Sequence, residues 1–229
     1  MTLVELEWGL SGARQLASRC DLLVLIDVLS FTTSVTICVA RGATVWPYAL
    51  DAEGAQSLAR DLGAQLASGR SASGSYTLSP ASLLSLPPQA RLILPSPNGS
   101  AIAHAVNAGT PLVAGCLRNV AAVVERASEV ARVGLVPAGE RWGDGSLRPA
   151  YEDWLCAGAV AAGLGAHRDP GSSPLAQAAA WAAEHPRPLE ECSSGRERID
   201  RGFAEDVHLA QERDVDPVVP TLTAGRFTA

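Results

Sequence analysis

The run Leu22-Leu23-Val24-Leu25-Ile26, free of polar side chains and closed by Asp27, sets the tightest limit on the fold. A strand with one wet face alternates, whereas a continuous apolar run of strand length suits burial on both faces of a largely parallel sheet. TTSVTICVARG follows at helical length, ATVWPYA reads as a second strand, DAEGAQSLARDLG as a helix opened by Asp51, and AQLAS as a short strand. RLILP, PLVAG and VGLVP supply three more strands, with NGSAIAHAVNAG and LRNVAAVVERASEVAR as the helices between them. The rhythm predicts an α/β protein, a three-layer α/β/α sandwich around a mostly parallel or mixed sheet, with residues 1–229 forming one domain. A helical segment from about residue 171 is expected to pack on that core. The stretch VDPVVPTL is expected to be an edge strand or extended tail, because proline cannot donate to an interior ladder.

Composition narrows the function. An apolar fraction of 47% is ample for a core, and a net charge of −6 with no basic stripe argues against a nucleic-acid partner. Every one of the 18 basic residues is Arg, so a lysine nucleophile, a Schiff base and a phosphate-loop lysine are all excluded. The start, MTLVELEWGL, is acidic where a signal peptide is basic, and no stretch reaches the roughly 18 apolar residues of a membrane span. A cytoplasmic location without a membrane partner is therefore expected. The five scattered cysteines read as reduced thiols, and the many small and apolar helical positions of the C-terminal half suit a homodimer.

Ligands of α/β proteins sit beyond the carboxyl ends of strands, which directs attention to four polar clusters. The first is Asp27 with Ser30, Thr32 and Thr33 at a helix start; the hydroxyls are equally suited to capping and to a ligand. Asp27 differs, because an acid directly after LLVLI is costly to bury unless a cation, donors or a metal compensates it. The second, Asn98-Gly99-Ser100, offers N–H groups at a helix start, equally suited to an anion site and to an ordinary Asn-capped turn. The third places Arg118 and Asn119 at the next junction. The fourth is Glu140 followed by Glu152 and Asp153; adjacent carboxylates on a helix diverge, so at most one of that pair is expected in the site. Asp27 with one of these three carboxylates has the chemistry Mg²⁺ prefers.

Two patterns are set aside. Cys192-Ser-Ser-Gly195-Arg-Glu-Arg198 matches the CxxGxxR loop of thiol phosphatases, but it lacks the preceding buried strand. The haloacid-dehalogenase DxD fails at Leu29, and the four histidines show no metal spacing.

The ordered pieces IDVLSFTTS, LSPASL, PSPNGSAIA, CLRNVAAVV, VPAGE, EDWLCAGAVAAGL and SSGRERIDRGFAEDVHLAQERDVDPVVP together resemble the 2-phosphosulfolactate phosphatase (ComB) family, a group of Mg²⁺-dependent phosphatases. Ser30 stands where the family often has Arg, for which Arg70, Arg118 or Arg196 could compensate. The resemblance implies hydrolysis of a small anionic phosphoester, (R)-2-phospho-3-sulfolactate giving 3-sulfolactate and phosphate. It implies Mg²⁺ held by Asp27 with Glu140 or Asp153, and catalytic roles for Asp27, Glu152 and Asn119. Substrate contacts are expected from Ser30, Thr32, Thr33, Asn98, Gly99, Ser100, Arg118 and Arg196. Metal-activated water is expected rather than attack by Asp27.

Overall fold

A computed structural model describes residues 2–48, 52–69, 75–106 and 109–229. Asp51, Arg70 and the middle of the Gly/Ser-rich stretch lie outside the described residues. The chain opens with β1 (Leu3–Leu6), α1 (Gly9–Ala17), β2 (Leu22–Ile26), α2 (Phe31–Ala40), β3 (Thr44–Tyr48), α3 (Ala52–Leu62), β4 (Gln65–Leu66) and α4 (Pro80–Leu83). It continues through β5 (Arg91–Pro95), α5 (Gly99–Val106), β6 (Leu112–Gly115), α6 (Val120–Ala127), β7 (Arg132–Pro137), a short hairpin β8 (Glu140–Arg141) and β9 (Leu147–Arg148), and α7 (Tyr151–Gly163). It ends with α8 (Pro174–Ala182), α9 (Ser193–Asp200), α10 (Ala204–Gln211), β10 (Thr221–Thr223) and β11 (Arg226–Thr228).

The main sheet has nine strands in the order β1-β7-β2-β6-β10-β11-β3-β5-β4. Two parallel groups, β1-β7-β2-β6 and β3-β5-β4, are joined by the antiparallel hairpin β10–β11, so the sheet is mixed. Antiparallel pairing at both seams sets the two groups in opposite directions.

The double burial of β2 follows from its composition. Leu23 and Leu25 enter one apolar cluster with residues of α1, α2 and α5, while Leu22, Val24 and Ile26 enter a second with residues of α6, α7, α8 and α10. Helices thus cover both faces, consistent with the three-layer arrangement. Small residues make the second layer close: a Cβ on Gly158 of α7 would lie 2.2 Å from the Ala179 carbonyl oxygen of α8.

One expectation needs correction. The C-terminal strands lie in the sheet's interior rather than at its edge, and they begin after the prolines: Val218 and Val219 are irregular, and pairing starts at Thr221. The two-residue turn at Ala224 (φ 49°) and Gly225 (φ 77°) closes the hairpin in the left-handed conformation whose twist matches the flanking strands. The charged segment after Gly139 forms a small hairpin. No helix among the described residues is long and apolar enough to cross a membrane. All five cysteines are buried and unpaired.

Candidate active site

Asp27 leaves β2 as the chain turns into α2, and it is 7% exposed. Its Oδ1 accepts the Phe31 N–H at 3.3 Å and its Oδ2 accepts the Gly99 N–H at 2.9 Å, so α2 and α5 both begin on this carboxylate. Burial pushes its pKa up; those two N–H groups and Arg198 oppose the shift, and Glu152 adds to it.

Three further carboxylates belong to the same electrostatic set. Asp153, in the first turn of α7, accepts the Val28 N–H (2.7 Å) and the Gly139 N–H (2.9 Å), tying the end of β2 to the end of β7. Burial raises its pKa well above the carboxylate range, with Glu152 and Asp27 adding repulsion. Glu140 begins β8 and is raised to about 7, first by burial and then by Asp27, with Arg198 opposing. Its Oε2 accepts from the Asn98 amide at 3.4 Å and its Oε1 from Arg198 Nη2 at 3.1 Å. Glu152 is 2% exposed and accepts the Cys192 thiol at 3.5 Å.

Glu152 and Asp153 are both buried, at 2% and 3% exposure, so neither faces solvent. Their side chains do diverge, but α7 is enclosed on both sides, with the strand ends receiving Asp153 and Cys192 of α9 receiving Glu152.

Most of the expected hydroxyl contacts are internal. Thr32 accepts the Asp27 N–H, Thr33 donates to the Val28 carbonyl, Ser100 to the Leu94 carbonyl and Ser30 to the Leu78 carbonyl. All four are at most 2% exposed, so they lock the loops around Asp27. The Gly99 N–H, expected to face an anion, holds Asp27 instead.

Arg118 and Asn119 make no hydrogen bond or ion pair with the acidic set among the described residues. Arg118 pairs with Asp216 at 2.6 Å and with Glu212, and it donates to the Leu209 carbonyl at 2.8 Å. Asn119 joins Cys116, Ala114 and Val218. Both residues fasten the C-terminal segment to β6. Arg196 points outward and is exposed.

The sequence reading missed Arg198, two positions further along α9, whose Nη2 reaches the Leu29 carbonyl at 3.2 Å as well as Glu140. A signal for it exists in the sequence. Of the three small residues that open that helix, Ser194 and Gly195 are buried, and the residue three to four positions later shares their face. Gly195 is required there, since a Cβ would lie 1.9 Å from the Leu189 carbonyl oxygen. Cys192 caps α9 by accepting the Gly195 N–H at 3.2 Å, and burial lifts its pKa to about 12, which makes it a poor nucleophile.

Beside this set lies a cleft of about 280 Å³, lined by Trp8, Ser11, Asn98, Ile102, Glu140 and Leu147 among others. Glu140 and Asn98 therefore stand between the buried acids and a space of small-metabolite size.

Burial of these acids, with their mutual repulsion added, has a consequence for the metal-free protein. Folded Glu140 keeps its proton to about pH 7, whereas an unfolded carboxyl releases it near 4.5, so its stabilising contribution is full below that value and is lost as pH rises through about 7. The raised values of Asp27 and Asp153 act in the same direction. In EDTA the melting temperature should accordingly fall between pH 5 and pH 8, with a smaller fall in Glu140→Gln. A flat or rising profile in calorimetry would mean that burial and repulsion do not hold these carboxyls protonated.

No match is found among curated proteins. The family description "2-phosphosulpholactate phosphatase" matches residues 12–225, which include every strand from β2 to β10 and all four acids of the site. The chain is thus a member of the 2-phosphosulpholactate phosphatase family, a family of phosphoric monoester hydrolases.

Proposed function

We propose that the protein is a Mg²⁺-dependent phosphatase acting on a small phosphorylated 2-hydroxy acid, with (R)-2-phospho-3-sulfolactate giving 3-sulfolactate and phosphate. The observation that carries the reading is the set Asp27, Glu140, Glu152 and Asp153, mutually repelling beside Arg198 in a chain that the phosphatase family covers nearly whole. That donor set fits a hard divalent cation: the ligands are oxygens and their negative charge exceeds the nearby positive charge. Among the described residues no three acidic, His or Cys side chains come close enough together to hold a metal ion by themselves. Asp27 and Glu140 would hold the ion, with Asp153 behind them and the remaining positions left to water and substrate, as suits Mg²⁺. When bound, Mg²⁺ neutralises charge on the transferring phosphoryl group.

The chain's own residues supply orientation and proton transfer. The two backbone donors fix the Asp27 carboxylate and leave each oxygen one further lone pair, which suits a ligand better than a nucleophile that must swing toward phosphorus. Asn98 and Arg198 hold opposite oxygens of Glu140. Glu152, positioned by the Cys192 thiol, is the carboxylate that would accept a proton from the attacking water. Asp153 keeps the ends of β2 and β7 in register with each other, so that Asp27 and Glu140 stay on one side of the sheet.

The purified protein should release phosphate from members of a panel of small phosphoesters with Mg²⁺, lose that activity in EDTA and regain it when Mg²⁺ is restored. Absence of metal-dependent release from any member would leave a non-catalytic binder of a phosphorylated metabolite as the better reading.

A further inference from the structure

We propose that Arg198 is the residue that receives a phosphoryl oxygen of the substrate, through its Nε–H. The inference deepens the phosphatase reading and takes from it the identity of the anion.

The guanidinium is anchored before any ligand arrives. Its Nη2 donates to the Leu29 carbonyl at 3.2 Å and to Glu140 Oε1 at 3.1 Å, which fixes the plane of the group beside Asp27 and Glu140. Its Nε, by contrast, is buried and has no hydrogen-bond partner among the described residues. Native proteins rarely leave such a donor unmet, and on a charged group the omission is costly. The Nε itself is covered while the side chain as a whole keeps 17% exposure, so an acceptor meets it as the edge of the guanidinium is uncovered.

Other cations among the described residues have their own places: Arg141, which lines the cleft, is exposed and donates to the Gly145 carbonyl at 3.0 Å. Arg148 holds Glu197 through two hydrogen bonds, at 2.8 and 3.2 Å, and Arg118 is taken up by Asp216, Glu212 and the Leu209 carbonyl. The chain has no lysine. Beside Glu140 and Asp27 an oxyanion would meet several carboxylates and the neutral Asn98 amide, so the donor of Arg198 and the cation held by those acids would grip it from two sides. A phosphoryl group has oxygens enough to satisfy both, and its double charge gains most from standing between them. A simple carboxylate gains less.

Calorimetric titration of the Mg²⁺-loaded protein with inorganic phosphate, and separately with lactate, tests the assignment in the wild type, Arg198→Ala, Arg198→Lys and the surface control Arg126→Ala. Loss of a charge-assisted hydrogen bond should weaken phosphate binding roughly 10- to 100-fold in Arg198→Ala, with Arg198→Lys in between, because the ammonium keeps charge but not the fixed Nε–H. Arg126→Ala should bind phosphate as the wild type does. Unchanged phosphate affinity in Arg198→Ala, a loss confined to lactate, or a wild type that binds no phosphate would each overturn the assignment. If Arg198→Ala does not fold, Arg198→Lys, which retains a donor for Leu29 and Glu140, is judged by the same criterion. The two readings fail separately. A wild type that cleaves no phosphoester while Arg198→Ala still loses phosphate affinity ends the catalytic reading and leaves the anion site standing. An active wild type whose kcat/KM is unaltered by either substitution ends the assignment of Arg198 alone.

Discussion

Asp27→Asn should lower metal-dependent phosphate release by about 10³-fold or more, since one substitution removes both a ligand charge and the fixed geometry at the centre of the acidic set. The fold should suffer far less. The carboxylate accepts one N–H on each oxygen, from Phe31 and from Gly99, whereas an amide can accept on one side only and turns its own NH₂ toward the other donor. An unmet buried donor costs roughly 1–3 kcal/mol, but loss of a buried charge that burial and Glu152 already disfavour offsets part of that. Activity and stability should therefore separate: a collapse of turnover beside a change in urea midpoint of at most a few kcal/mol equivalent. A variant keeping more than a tenth of wild-type turnover would remove Asp27 from the chemistry and leave it only its role of holding α2 and α5. Single turnover in ¹⁸O-water adds a second readout. Label should appear in phosphate and not in Asp27, because the two N–H bonds hold both oxygens of Asp27 in place.

Asp27 was legible in the sequence because its difficulty is local: a carboxylate closing a five-residue apolar strand must be compensated, whatever the rest of the chain does. The double burial of β2 was legible for the same reason. What escaped depends on distant partners. Arg118 stands at a strand end like the others, yet its roles are set by Glu212 and Asp216, nearly a hundred residues later, and no spacing rule announces such pairs. The hydroxyls of Ser30, Thr32 and Thr33 were ambiguous between cap and ligand, and all three are buried in internal hydrogen bonds. Arg196 and Arg198 lie in the same motif; only the orientation of α9, set by the close approach of Gly195 to Leu189, selects the second. The C-terminal hairpin was hidden because its strands are three residues each and draw their order from pairing with β6 and β3.

Gly99→Ala should be strongly damaging to both stability and activity, and its damage should be steric. A Cβ there would lie 2.2 Å from Phe31 Cδ1, 2.7 Å from Phe31 Cγ and 2.8 Å from Asp27 Oδ2. Relief by moving the ring is blocked. Phe31 has no exposed surface and packs edge-on against Phe227 of β11, with ring centroids 6.1 Å apart, so displacing it pushes on the hairpin that joins the two halves of the sheet. Relief by moving α5 instead lengthens the 2.9 Å bond from Gly99 to Asp27 and releases the carboxylate. Overpacking of this kind costs about 1–3 kcal/mol or more, equivalent to a melting-temperature loss on the order of 10 °C for a chain of this size. Activity should fall with it, because either relaxation disturbs Asp27. The steric cause can be isolated by a double-mutant cycle. Phe31→Leu removes the ring edge, so it should cost stability alone yet restore part of the loss when combined with Gly99→Ala, giving a favourable coupling of about 1 kcal/mol or more in urea unfolding. Strict additivity would mean that the glycine is needed for its backbone rather than for the space beneath Phe31.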